Sequence, residues 1–168
     1  MIWAAFSRRG KTPIATISTR MNSANYVELL DNVLIPFTED VMDNDFVFQQ
    51  DNAAIHVSKA SKEWFSERDI QLLDWPARSP DLNPIENLWD ILARRVYSGG
   101  RQFGTVQELQ VAVREEWAKI PLQMLQNLVD SMPKRIFETI LKNGKQTKLV
   151  GELRVRRTGG VRRTGGKF

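Results

Sequence analysis

Two carboxylates in this 168-residue chain, Asp51 and Glu86, stand where acids can do chemistry, with 34 residues between them. Asp51 closes a short apolar run, residues 46–50, that suits a buried strand. The carboxyl end of a strand is where open α/β sheets usually place their ligands. Glu86 falls in the first turn of a helix predicted to begin at Pro84. Two carboxylates on such rigid elements could hold a hard divalent cation. Magnesium prefers a few carboxylates, waters and substrate phosphates to an all-protein cage. Two such ions about 3.5–4 Å apart activate water and steady the leaving oxygen of a phosphodiester. Each acid also has an ordinary structural use. Asn83 is a good N-cap, Pro84 suits the first helical position, and Glu86 then occupies the capping-box position. Asp51 followed by Asn52 could simply turn the chain after a strand.

The elements that must carry these groups alternate between strand and helix signals. Residues 1–7 and 12–19 are short apolar or β-branched runs around the turn-like 8–11, which predicts a hairpin. A helix is predicted over 22–36, with Tyr26, Leu29, Leu30 and Val33 at helical spacing and Asn22 or Ser23 as its cap. After the strand at 46–50, residues 58–68 read as a helix with Ala60, Trp64 and Phe65 inward. A further short strand, 70–74, ends at Trp75-Pro76. The Pro-rich loop 77–83 leads into the helix 84–97, closed by Gly99-Gly100. Three more helical stretches follow, near 105–119, 121–131 and 133–142. Strand–helix alternation followed by helices indicates an α/β domain with a helical end.

Composition and charge remove whole classes. The chain is 42% hydrophobic and 26% charged, ordinary for a globular protein and unlike a disordered chain or a collagen. It has no cysteine, which excludes disulfides, zinc-thiolate sites and a thiol nucleophile, and its one histidine, His56, excludes a His-rich metal site. No apolar run approaches the roughly 18–20 residues of a membrane helix. The net charge of +4 is unevenly spread. Residues 142–168 hold nine basic residues against one acid, whereas the rest of the chain holds 15 basic and 19 acidic residues. The tail repeats VRRTGG at 155–160 and 161–166. Residues 150–168 are therefore read as a basic, Gly/Arg-rich, disordered arm apart from the domain of residues 1–149. Arg156, Arg157, Arg162 and Arg163 are its candidate DNA contacts.

The segments FQQDNAAIH (48–56), LLDWPARSPDLNPIENLWD (72–90) and DSMPKRIFETILKNG (130–144) closely resemble the mariner-type DDE transposases of the Tc/mariner superfamily. The resemblance runs over residues 1–149. It implies an RNase H-like mixed sheet with flanking helices and a helical C-terminal extension. It further implies that Asp51 and Glu86 are the second and third acids of a catalytic triad that binds Mg²⁺ or Mn²⁺. Asn52 and His56 match the motif around the second acid. Trp75-Pro76 and residues 79–84, Asn83 among them, match the loop before the third, where they shape the site and perform no chemistry. Ile85, Leu88, Trp89, Leu92 and Val96 form one apolar stripe that should seat Glu86 against the core.

In this family the first acid lies on a central strand upstream of the segment that matches residues 1–7, so that strand is expected to be missing here. Its neighbours should then expose unpaired edges. Asp43 and Asp45 are poor substitutes: Asp45 lies roughly 20 Å from Asp51 along an extended strand. Asp74 is better placed but belongs to the LDWP motif. The expectation is a truncated domain of a DNA strand-cleaving and strand-transferring enzyme, acting in the nucleus and inactive alone. The alternative is a non-catalytic protein that binds DNA through the tail, or pairs with itself or an intact transposase, with no membrane partner.

Overall fold

The computed structural model describes residues 1–42, 46–76 and 79–142. The N-terminal hairpin forms in two pieces. Strands β1 (Ile2–Trp3) and β4 (Ala15–Thr16) pair antiparallel with Ile2 opposite Thr16, and β2 (Phe6–Ser7) pairs with β3 (Gly10–Lys11) with Phe6 opposite Lys11. The register shifts by one residue between the two pairs, so the returning strand carries a bulge. Pro13, which has no N–H to give to a ladder, lies in that interval. Thr12 bridges it, with its N–H on the Ala5 carbonyl and its hydroxyl accepting from the Ala5 N–H, both at 2.9 Å.

The predicted helix over 22–36 extends farther than its sequence suggested. Helix α1 (Ser23–Leu29) is capped by Asn22, whose side chain accepts from the Asn25 N–H at 2.9 Å while Asn25 reaches back. A π-helical turn, Leu30–Leu34, then leads directly into α2 (Ile35–Val41). Pro36, the last residue of the predicted span, does not end the helix. It falls instead within the first two positions of α2, where its missing N–H costs little.

Strand β5 (Val47–Phe48), helix α3 (Lys59–Glu67) and strand β6 (Gln71–Leu72) make a βαβ unit, with β5 and β6 parallel. Phe65 of α3 stacks on Phe48 of β5 at 5.5 Å between ring centres. The inward face of α3 differs at one position from the expected one. Ala60 is exposed and Ser61 is fully buried, its hydroxyl bonded to the Ile55 carbonyl at 2.6 Å. Ser61 is three and four residues before Trp64 and Phe65, so it shares their face, whereas Ala60 does not.

A 3-10 turn, Pro80–Leu82, precedes α4 (Pro84–Val96), and α5 (Val106–Ala118), α6 (Leu122–Asp130) and α7 (Met132–Leu141) complete the chain described. Gly99 and Gly100 adopt positive φ after α4, the conformation that favours glycine there. Two apolar clusters flank the strands. One gathers Tyr26, Leu30, Leu34, Trp64 and Phe65, with Trp3 and Phe48 packed on it. The other gathers Ala4 and Ile14 of the hairpin with Leu88, Leu92, Val96, Trp117 and Leu125 of the later helices. The Trp117 indole N–H donates to the Thr12 carbonyl at 2.8 Å, which ties the helical end to the hairpin.

This is an α/β arrangement with helices on both sides of its strands. Among the described residues, β1 pairs only with β4 and β5 only with β6. Trp3 of β1 and Phe48 of β5 pack against the same cluster, although the described strands of the two pairs are not bonded to each other.

Candidate functional site

Glu86 is positioned by the first turn of α4. The Asn83 side chain accepts from the Ile85 N–H at 3.4 Å, a long contact, and Pro84 supplies the first helical residue. The expected capping box does not form. The Asn83 N–H is already used by the Pro80 carbonyl at 3.1 Å. Among the described residues, no hydrogen bond or ion pair engages the Glu86 carboxylate, so its position is not explained by capping. The apolar stripe predicted behind it is in place, with Leu88, Leu92 and Val96 buried and Ile85 and Trp89 packed beside them. The polar residues around this turn are buried too: Asp81, Asn87 and, from α7, Arg135.

Asp51 follows β5 and is exposed, yet held. Its Oδ1 accepts from the Ala53 N–H at 3.0 Å, the local turn foreseen as its ordinary use. The same oxygen lies 2.6 Å from His56 Nδ1, which donates to it when Asp51 is ionised. Both contacts fall on Oδ1, and among the described residues none falls on Oδ2. Behind His56 lies a buried polar relay that the sequence reading did not identify. The Tyr26 ring packs 4.5 Å from the imidazole, and its hydroxyl donates to Gln50 Oε1 at 2.6 Å. Gln50 Nε2 donates in turn to the His56 carbonyl at 3.3 Å. Burial first, and the Asp51 charge second, push the Tyr26 phenol well above its ordinary range, so the hydroxyl remains a donor. The helical periodicity marked Tyr26 as a core residue. Nothing in the pattern marked its hydroxyl as a second-row support for Asp51.

The two acids meet across a cleft of about 300 Å³ lined by Asp51, Asn52, Trp75, Pro76, Asn83 and Glu86, with Ala53, Ser79 and Pro80 completing the wall. Asn52 closes one side, its side-chain N–H₂ donating to the Trp75 carbonyl at 2.9 Å and tying the two loops together. Burial raises the Glu86 carboxyl above its ordinary value, and the negative charges of Asp51 and then Asp90 push it further. Partial desolvation and neighbouring like charge both disfavour the ionised form of this carboxyl. A wider depression of about 450 Å³, lined by Ile91, Arg94, Arg95, Ser98 and Glu116, lies towards the far end of α4 and brings no carboxylate pair together.

Among the described residues no group of three or more His, Cys, Asp or Glu is arranged to hold a metal ion. Asp74 is exposed and does not line the cleft. Asp43 and Asp45, and the four tail arginines Arg156, Arg157, Arg162 and Arg163, lie outside the described residues. No described helix is long and apolar enough to cross a membrane.

The family of DDE superfamily endonucleases matches residues 1–110. The chain is 45% identical over 144 residues to the Tc3 transposase of Caenorhabditis elegans, covering 86% of this chain and 44% of that protein. It is 36% identical over 148 residues to the Tc1 transposase of the same organism, covering 88% of this chain and 54% of the relative. It thus spans about half the length of the curated relatives it matches. Among solved structures, the catalytic domain of Mos1 transposase with raltegravir and Mg superposes with a TM-score of 0.78 at 18% identity, over 88% of this chain and 76% of that one. The Mos1 mariner paired-end complex with Mn gives 0.77 at 18% identity, over 86% and 44%. The RNase H-like fold is thereby shared with the Mos1 catalytic domain.

Proposed function

Because this chain belongs to the DDE superfamily endonucleases, we propose that its cleft is the metal-dependent phosphodiester site of a transposase catalytic domain, with DNA as substrate. The observation that carries this reading is the meeting of Asp51 and Glu86 across one cleft, close enough that the Asp51 charge raises the Glu86 carboxyl. The donor set fits Mg²⁺ or Mn²⁺: hard carboxylate oxygens, with neither the Glu86 carboxylate nor Oδ2 of Asp51 engaged by another side chain or N–H among the described residues. Such a cation, when bound, supplies positive charge to the scissile phosphate and lowers the pKa of a coordinated water.

The rest of the work belongs to the chain. Asp51 and Glu86 hold the cation from two separate elements. His56 fixes the Asp51 carboxylate through Oδ1, and Tyr26 and Gln50 fix His56. Asn52 locks the loop carrying Asp51 to the loop before Glu86, so the cleft keeps its width. Asn83 starts the helix that carries Glu86.

The first acid of the triad belongs on a strand seated between β1 and β5. Each of those strands keeps an unpaired edge among the described residues, and both pack on one helical cluster. Residues 1–149 form the catalytic unit and 150–168 a basic arm that contacts DNA phosphates. The intact enzyme would act on transposon ends in the nucleus, as a pair of protomers. A second reading follows from the two-acid cleft: this chain alone is a non-catalytic partner that holds DNA or pairs with an intact transposase.

The test is Mn²⁺ titration of the purified chain, alongside Asp51→Ala and Glu86→Ala, following metal binding and nicking of a DNA duplex. Binding lost in both variants, with no nicking by the chain alone, is the expected result. Binding that survives both substitutions refutes the site. Metal-dependent nicking lost in both variants would place a third ligand within this chain and discard the non-catalytic reading.

A further inference from the structure

Helix α7 is seated with its polar face inward. Met132, Arg135, Glu138 and Thr139 share the side turned towards the protein, whereas Ile136, Phe137, Ile140 and Leu141 are exposed. Burial of apolar surface would favour the opposite orientation, so something else docks this helix. The anchor is Arg135, only 3% exposed. Its Nη1 donates to Asn87 Oδ1 at 2.7 Å and to the Asp81 carbonyl at 3.4 Å. The Asp81 carboxylate, 7% exposed, supplies the opposing charge.

These partners bracket Glu86. Asp81 lies in the 3-10 turn that enters α4, and Asn87 directly follows Glu86. One guanidinium therefore grips the chain on both sides of the turn that carries the carboxylate. Local forces hold that turn weakly, since the cap contact is 3.4 Å long and no capping box forms. Arg135 is also a poor choice for stability alone. Among the described residues its Nε and Nη2 are buried without hydrogen-bond partners, and an apolar side chain of similar volume often replaces a buried ion pair with no loss.

We propose that Arg135 is a positioning residue for the site, fixing the first turn of α4 and hence the Glu86 carboxylate relative to Asp51. The inference rests on the reading of Asp51 and Glu86 as metal ligands. It places part of the site's geometry under the control of a residue 49 positions later in the chain, on a helix that does not line the cleft.

The test compares Arg135→Met, Arg135→Lys and the wild-type chain by Mn²⁺ affinity and by amide hydrogen exchange along α4. Arg135→Met should weaken Mn²⁺ binding by about 10–100-fold, the range for residues that orient metal ligands. The Ile85, Glu86 and Asn87 amides should exchange at least about tenfold faster relative to those of Leu92 and Val96. Arg135→Lys, which keeps the charge, should recover part of both. Should Arg135→Met fail to fold, Arg135→Lys against wild type carries the same comparison. Unchanged Mn²⁺ affinity, or exchange that rises equally along the helix, overturns the proposal and leaves Arg135 a structural residue. A wild-type chain that binds no Mn²⁺ refutes the metal reading instead, and the exchange gradient then decides the role of Arg135.

Discussion

Leu88 is the residue on which the seating of α4 depends most directly. It lies two positions after Glu86, is fully buried, and belongs to the cluster that joins the hairpin to α4, α5 and α6. Leu88→Ala removes apolar contact and leaves a cavity that the surrounding elements cannot fill. The same cluster draws Ile14 from the hairpin, Ala112 from α5 and Leu125 from α6, three segments distant in the chain. A site that collapses poorly puts the cost at about 3–5 kcal/mol. For a chain of this length a urea m-value of roughly 2 kcal/mol/M converts that to a midpoint lowered by about 1.5–2.5 M. Leu88→Met keeps the volume and should cost below about 1.5 kcal/mol. Urea unfolding followed by tryptophan fluorescence reads both. Trp89 and Trp117 stack 5.5 Å apart at this core, and their signal reports its packing directly. A loss under about 1 kcal/mol for Leu88→Ala, or equal losses for Ala and Met, would refute the claim that close packing fixes the helix carrying Glu86.

Glu86→Gln should stabilise the metal-free chain at neutral pH, because it removes a partly desolvated charge that faces Asp51 and Asp90. The folded carboxyl is raised, so the native state keeps its proton to higher pH than the unfolded one, and wild-type stability falls as pH rises through that interval. The advantage of the variant should be small below the ordinary glutamate range and full above the raised value; urea midpoints at pH 4 and pH 7 check it, and an advantage that shrinks with rising pH contradicts it. Tyr26→Phe leaves Gln50 Oε1 without its 2.6 Å donor and should cost about 1–3 kcal/mol in urea unfolding; no loss would mean the relay behind Asp51 is not formed. Deletion of residues 145–168 should abolish salt-dependent, sequence-independent binding to duplex DNA, since lysine and arginine release counterions from phosphates; unchanged affinity across a salt series removes the arm from the binding account.

Much of the site was legible in the sequence because its parts are local. The Asn83-Pro84 start of α4 and the stripe Leu88, Leu92 and Val96 express cap chemistry and short-range periodicity, and the structure has both; the strand before Asp51 forms too, but only over Val47–Phe48 and with Val47 exposed where a buried strand was expected. Local rules also gave a wrong stop at Pro36, where a π-helical turn carries the helix onward, and placed Ala60 inward in place of Ser61. Spacing left two readings open for each acid. Tertiary structure removed the capping use of Glu86, whose capping partner is taken by the Pro80 carbonyl, and has Asp51 turn the chain while lining the cleft.

By itself the sequence determined which elements form and which acids they carry, since helix, strand and cap propensities act over a few residues. It could not determine how those acids are held. The support of Asp51 comes from Tyr26, 25 residues earlier, and that of the turn bearing Glu86 from Arg135, 49 residues later. Such contacts leave no periodic trace, because a buried hydroxyl or guanidinium acquires its role only when packing brings a distant partner within hydrogen-bond reach and removes water as the alternative.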